Sequence, residues 1–539
     1  MKIYMLRNTG MDQVRKSSTR KGWIAGLAVA IVAVAGYSLF MRTSHESPKP
    51  AAAAALARDP DTLRIGMDKG ILSFDPQNNG SYGTPLMNVF DTLVRIDKDG
   101  NFQPQLAESF KQVDPVTWAF SLHKGIKFHN GDELTSSDVK FTLDRVTSDK
   151  SLIENARFSS IKEVKILDKY NFEIITKEPD PVLLNRLIRM GGSILPEHYF
   201  KEKGVSYFMQ HPVGSGPYQV VDYEPDRRLI LKRFDGYFKG KVSEWKKAVI
   251  TVLPDAATRV NELVTGGVDL VTEIPPSEWS RVNGQKGLKI VDGNSTQVML
   301  LVVNCNKEFP TSDRRVRQAI EYAIDSRLIV KKLFDGMGTP TRTHITPGIL
   351  GFDKSLYDTS DYDPAKAKAL LKEAGYGESK PLKLTLQIPQ GRYLLDSELG
   401  QLIAAMLQGV GIQVKIELLE NSRYVQVRNS NKNQALMLAG YGNSMFDPFL
   451  PLNALNSKVY FKRIGYKNER VDALLDKAMQ TMDPKERAKM YQEVQQILAV
   501  DLPYIYIYNE RYFTGIDTNR VSFDPPASKD ILVEDIKKK

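Results

Sequence analysis

Six histidines, one cysteine and several adjacent carboxylates are the groups in this 539-residue chain with the chemistry for metal ligation, nucleophilic attack or acid–base catalysis. A zinc site on one helix face needs two imidazoles a turn apart. His45, His123, His129, His198, His211 and His344 include no such pair, and no HExxH occurs. His123 and His129 flank a turn and are expected on a surface hairpin. Cys305 lies in the apolar run Met299-Leu-Leu-Val-Val-Asn-Cys-Asn306, where a thiol serves as a small buried hydrophobe rather than a nucleophile. The glycine-rich stretches also fail as chemistry. Gly236-Tyr-Phe-Lys-Gly240-Lys-Val242 lacks the spacing and hydroxyl of a phosphate loop, and Gly336-Met-Gly338 lacks the third glycine of a dinucleotide fingerprint. In Gly214-Ser-Gly-Pro217 the proline prevents the strand–turn–helix elbow of a nucleophilic serine. The pair Asp132-Glu133 reads as a charged turn. The chain is therefore read as a binding protein, without catalytic residues, metal site or cofactor.

Short apolar or β-branched runs bounded by Gly, Pro, Asp or Asn alternate with amphipathic stretches. Strands are expected at 63–67, 118–122, 164–167, 172–176, 229–232, 248–252, 289–291, 298–304, 382–387, 413–418 and 435–438. Helical spacing of apolar residues runs through 136–147, 311–333, 364–374, 394–408 and 468–499. Asp363-Pro364 supplies a cap and a first-turn proline, and Gly375 a stop. This alternation predicts α/β domains with mixed sheets.

The net charge of +10 is concentrated at one end: residues 1–58 carry +7 and the remaining 481 only +3. No basic stripe with interleaved aromatics appears, which excludes a nucleic-acid partner. Six Lys/Arg precede an uncharged apolar run, Ile24 to Met41, so positive charge holds that end in the cytoplasm. The run is about 18 residues, the lower end of a membrane span. It predicts a retained anchor at 23–41 after a basic arm at 1–22; the alternative is a signal peptide cleaved after Ala33-Val-Ala35. Residues 42–61, rich in Ser, Pro and Ala, read as a linker, which places the rest outside the cytoplasmic membrane.

Four stretches then carry a resemblance. Leu106-Ala-Glu-Ser-Phe110, Trp118, Lys124-Gly-Ile-Lys-Phe-His-Asn-Gly-Asp132 and Leu134-Thr-Ser-Ser-Asp-Val139 form the first. His211-Pro-Val-Gly-Ser-Gly-Pro-Tyr218 with Tyr237-Phe238 is the second, its glycines serving positive φ or close approach. The third is Val316-Arg-Gln-Ala-Ile320 with Tyr322-Ala-Ile-Asp325, and the fourth Gly391-Arg-Tyr393 with Gly411-Ile412. In order and spacing, over about residues 62–530, the chain resembles the family 5 extracellular solute-binding proteins of ATP-binding-cassette importers. The resemblance implies a type II periplasmic-binding-protein-like fold of two lobes and a hinge. Domain I would comprise 62–95, 212–300 and 505–539, domain II 96–211 and domain III 301–504. It also implies a monomer that captures a peptide or similar small solute and delivers it to permease subunits. A ligand sensor on the same fold, or a hydrolase, is the alternative.

The end of a strand is where α/β domains take ligands, which directs attention to the loop after the apolar run 435–438. Here Tyr441 matches the aromatic residue of peptide-binding relatives. The position of their amine-pairing acid falls to Asn443 or Ser444, while Asp447, in an Asp-Pro further on, is the loop's other candidate solute contact. Arg392, whose planar fork suits a carboxylate, and Tyr393 are expected to approach the same cleft. Asn78 and Tyr82 are expected to complete it from domain I.

Overall fold

The segment Val298-Met-Leu-Leu-Val-Val303 is apolar at every position because its strand is covered on both faces. Alternate residues divide between two cores: Met299, Leu301 and Val303 pack into one, and Val298, Leu300 and Val302 into the other. The computed structural model describes residues 59–71, 73–79, 85–97 and 100–539. The chain divides into two units, Met1–Asp59 and Pro60–Lys539. The basic arm, the apolar run and nearly all of the expected linker lie outside the described residues. Among the described residues no helix is long and apolar enough to cross a membrane.

The second unit is organised by an 11-stranded mixed sheet. From one edge it runs Gln413–Leu419, Lys383–Pro389, Leu436–Tyr441, Leu288–Val303, Tyr504–Asp517, Leu270–Val271, Thr62–Met67, Lys247–Val252, Arg228–Arg233 and Tyr218–Glu224, with Thr339–Pro340 against Tyr504–Asp517. Two long antiparallel strands, Leu288–Val303 and Tyr504–Asp517, form its middle. Each crosses from one half of the sheet to the other. Their ladder is interrupted between Asn294 and Val298, where Asn509 Nδ2 donates to the carbonyls of Ser295 (2.7 Å) and Gln297 (2.8 Å). A separate four-stranded antiparallel sheet, Ala107–Asp114, Thr117–Leu122, Asn171–Thr176 and Ile161–Ile166, lies wholly within 96–211. Its strand Asn171–Thr176 alternates half-buried and buried residues, as expected when one face is covered. The covering helix, Ser136–Ser148, starts with a capping box between Thr135 and Asp138.

Several of the expected elements require correction. The strands expected at 289–291 and 298–304 are one strand, since the interruption bends the ladder without ending it. Tyr504–Asp517 was not among the expected strands; its Tyr-Ile-Tyr-Ile-Tyr is buried throughout, with tyrosines serving as large core residues. The helix expected over 311–333 divides into Arg314–Ala323 and Ser326–Phe334 because the Asp325 carboxylate accepts the Leu328 N–H and starts a new helix. The helix expected over 468–499 likewise divides into Glu469–Gln480 and Pro484–Asp501 at Asp483-Pro484.

His129 is not a free surface residue. Its Nε2 is 2.9 Å from the Gly216 carbonyl and its Nδ1 accepts the Gly214 N–H at 3.3 Å. This pairing fits a neutral ring protonated at Nε2, and burial pulls the pKa down to about 4. The imidazole thereby pins the Gly214-Ser-Gly-Pro217 segment. Its glycines serve close approach, not positive φ: a Cβ on Gly214 would lie 2.0 Å from the Val89 carbonyl oxygen, and one on Gly216 2.6 Å from that of Asn88.

Cys305 is partly buried, and desolvation raises its thiol pKa to about 11. At pH 7.5 the native protein is expected to react with a thiol reagent at least tenfold more slowly than the same protein in denaturant. Equal rates would contradict its burial.

Candidate solute site

The loop following Leu436–Tyr441 is built by hydrogen bonds that leave little freedom. His344, 1% exposed, donates from Nε2 to the Tyr441 carbonyl at 2.8 Å. Its ring stacks against that of Tyr441, and Tyr504 meets Tyr441 edge-on. Burial lowers the His344 pKa to about 4, so the ring is neutral at physiological pH. The Tyr441 hydroxyl accepts from Arg463 Nη2 at 2.8 Å, and desolvation raises its pKa. Two residues on, the Asn443 N–H donates to Thr296 Oγ1 at 3.1 Å. The Asn443 side chain is 1% exposed, and neither Nδ2 nor Oδ1 has a hydrogen-bond partner. A buried carboxamide left in this condition is costly unless something else satisfies it.

Asp447 behaves differently from the expectation that it meets a solute. Both of its oxygens accept from Arg487 Nη2 at 3.0 Å, and Oδ1 also accepts the Phe449 N–H at 2.8 Å. The two side chains are 5% and 4% exposed. Desolvation raises the Asp447 pKa and the Arg487 charge opposes the rise. Asp447 thus braces the loop, with both oxygens engaged inside the protein.

Arg392 and Tyr393 do come to this strand. The Asp396 carboxylate, at the start of the helix Asp396–Gly409, accepts the backbone N–H groups of Arg392 (2.8 Å) and Tyr393 (3.0 Å). Tyr393 OH then donates to the Gly440 carbonyl at 3.2 Å. A Cβ on Gly440 would lie 2.9 Å from the Tyr393 ring, so the glycine permits this approach. Arg392 lies 5.5 Å from the Tyr393 ring centroid and donates to Asn421 Oδ1 at 2.9 Å.

A cavity of about 880 Å³ opens beside the interruption in the central ladder. From the loop it takes Ser444 and Phe446, and from the two long strands Thr296 and Asn509. Arg189 and Asn79 stand among its other walls. Asn78, expected here, is exposed and does not line it; the short 3-10 turn Pro76–Asn78 directs its neighbour Asn79 inward instead. Tyr82 lies outside the described residues. Tyr441, Asn443, Arg392 and Tyr393 stand behind or beside the lining rather than within it. Asp91, also on the lining, is 5% exposed, with Oδ1 accepting from Gln105 Nε2 at 2.6 Å, and burial raises its pKa to about 7.

Sequence reasoning missed Arg189, Phe446 and Asn509, as well as the C-terminal stretch around Asp524–Asp535 that walls one side. Arg189 and Asn509 carried no motif. The only available signal for the C-terminal stretch was its unusual Asp-Pro-Pro followed by apolar residues without helical spacing. Among the described residues no group of three or more His, Cys, Asp or Glu is placed to hold a metal.

The profile described as "Bacterial extracellular solute-binding proteins, family 5 Middle" matches residues 101–462. The glutathione-binding protein GsiB of Salmonella choleraesuis (strain SC-B67) is 26% identical over 488 residues, which cover 88% of this chain and 93% of that protein. The dipeptide-binding protein of Escherichia coli (strain K12) is 27% identical over 477 residues, 82% of this chain and 88% of its own. Among solved structures, the ABC transporter-associated periplasmic binding protein DppA from Helicobacter pylori, in complex with the peptide STSA, superposes with a TM-score of 0.74. It is 25% identical and covers 88% of this chain and 98% of its own. With its two-lobed type II binding-protein fold, the chain belongs to the family 5 bacterial extracellular solute-binding proteins, the solute-capturing components of ATP-binding-cassette importers.

Proposed function

We propose that the protein captures a peptide or similarly sized polar solute in the 880 Å³ cavity and presents it to membrane permease subunits, acting as a monomeric binder rather than an enzyme. The observation that carries this reading is the cavity's position, between the crossing strands and the loop at Ser444–Phe446. Its volume falls in the range of about 300–1,000 Å³ typical of small-molecule sites. Relatives named for glutathione and dipeptides support a solute of that class. Asn443, behind the lining next to Ser444, would complete its hydrogen bonds through a water that bridges to the solute. Tyr441, Arg392 and Tyr393 would hold the loop, and Arg392 would approach a solute carboxylate on closure.

Calorimetry with glutathione and with a dipeptide and tripeptide library tests this reading. For the peptide that binds, Asn443→Ala is expected to weaken affinity by about 5–150-fold, the cost of a buried hydrogen bond of about 1–3 kcal/mol. No binding by any member of the set would remove the peptide reading. Unchanged affinity in a folded Asn443→Ala would remove this residue from the site.

The segment 23–41 is proposed as a retained membrane anchor after a cytoplasmic arm, with the folded unit on the outer side. Fractionation should find the full chain in the membrane. A mature protein beginning at Gly36 would establish a cleaved signal peptide instead.

A further inference from the structure

The short helix Leu183–Leu187 and Arg189, just beyond it, lie against the loop at Ser444–Phe449. Asn185 Nδ2 donates to the Met445 carbonyl at 2.7 Å, between buried groups. Arg189 Nη1 donates to Ser444 Oγ. The Arg186 guanidinium stands 5.3 Å from the Phe449 ring centroid. These contacts join stretches of chain some 255 residues apart.

Each arginine is already committed on its own side. Arg189 donates from Nε and Nη2 to the two oxygens of Glu154, both at 2.7 Å, and the Glu154 side chain is fully buried. Arg186 Nε donates to Asp180 at 2.8 Å and its Nη1 to the Arg157 carbonyl at 2.6 Å. On the other side Asp447 is held by Arg487. The ion pairs therefore stay within each side, and only neutral partners, a hydroxyl, a carbonyl and an aromatic ring, are reached across the gap. Parting the two sides strands no buried charge, which would be the costly event. It breaks two hydrogen bonds, one of them from a guanidinium, and the Arg186–Phe449 ring contact, each of modest net value in water. That division suits a contact made and broken repeatedly.

We propose that Asn185 and Arg189 form a reversible latch with the loop at Ser444–Met445 and set how far the two lobes close. Arg189 and Ser444 both line the 880 Å³ cavity, so its occupant lies against the latch. This rests on the reading of that cavity as the solute site, but the latch can be tested without any solute.

The full-length chain, in a Cys305→Ser background, takes nitroxide labels at Ile166→Cys and Leu418→Cys. These exposed positions lie on the four-stranded sheet and on the edge strand of the large sheet. Pulsed electron–electron resonance then reads the distance between them. Ser444→Ala with Asn185→Leu is expected to shift the distribution to longer distances and broaden it. Ser444→Thr, which keeps the hydroxyl, should restore the parent distribution when Asn185 is intact. If the double variant does not fold, Ser444→Ala alone decides. A distribution identical to the parent's in the folded variant would overturn the latch, whatever the outcome of solute binding. A loss of stability with unchanged distances would also overturn it.

Discussion

Arg487→Leu is expected to destabilise the protein by about 3–5 kcal/mol, because it leaves the Asp447 carboxylate buried without its counter-charge. Both oxygens of Asp447 rest on one guanidinium nitrogen, and neither side chain is more than 5% exposed. The mirror variant, Asp447→Leu, strands the arginine and should cost a similar amount. Replacing both by Leu and Met should cost less than either single change, because no charge is then left unpaired. Urea unfolding of the three variants checks this. A single variant that loses less than about 1 kcal/mol would mean that water reaches the pair. The loop from Asn443 to Phe449 depends on this brace, so solute affinity should fall in the single variants along with stability.

The second large effect is on pH dependence. His129 and His344 titrate near 4 in the folded protein and near 6.5 when unfolded. Between those values the unfolded chain binds more protons, so stability is full above pH 6.5 and is lost as pH falls toward 4. Each histidine contributes a loss on the order of 3 kcal/mol, from about 1.4 kcal/mol per pKa unit. For His344, protonation puts a charge in a site where Nδ1 has no partner. For His129, it removes the acceptor of the Gly214 N–H. Carboxyls raised by burial act in the opposite sense: Asp91, near 7, is relieved as pH falls. The comparison must therefore be between variants. His344→Gln and His129→Gln keep a donor on the side chain and remove the titration. Their stability should fall less than the parent's between pH 6.5 and 4, and least in the double variant. Parallel pH profiles for parent and double variant would show that the histidines do not titrate in this window.

The same residues show how far the sequence could be read. Local signals gave reliable elements: the Thr135 cap, Asp363-Pro364, and apolar runs such as 298–303 whose full burial follows from having no polar face. The strand-end argument directed attention to the loop after 435–438, and Ser444 and Phe446 of that loop line the 880 Å³ cavity. What the sequence concealed were contacts between distant segments. Asp447 reads as a candidate solute contact and Arg487 as an ordinary helix charge until the fold brings them together, and Arg189 has its acid 35 residues away at Glu154. His129 looked like a hairpin residue because its partners, Gly214 and Gly216, follow more than 80 positions later. Tyr504–Asp517 escaped notice because its tyrosines and its Asn-Glu-Arg interrupt the apolar pattern that marks a buried strand. Asn509, inside that interruption, is the residue that ties the ladder together.

The position of Tyr504–Asp517 also bears on the order in which the protein is made. This strand joins the two halves of the large sheet, pairing with Leu288–Val303 along nearly its whole length and with Leu270–Val271 beyond. In chain order it follows every other strand of the large sheet. Until it is made the sheet has two open edges and a gap at its centre, and the missing contacts are long-range ones that form slowly. A nascent or truncated chain ending before residue 504 therefore cannot close its own middle. In a member of an extracytoplasmic family, late arrival of the central strand keeps the large sheet open until that strand has been made. It also makes that interval the one in which its open edges most need a chaperone.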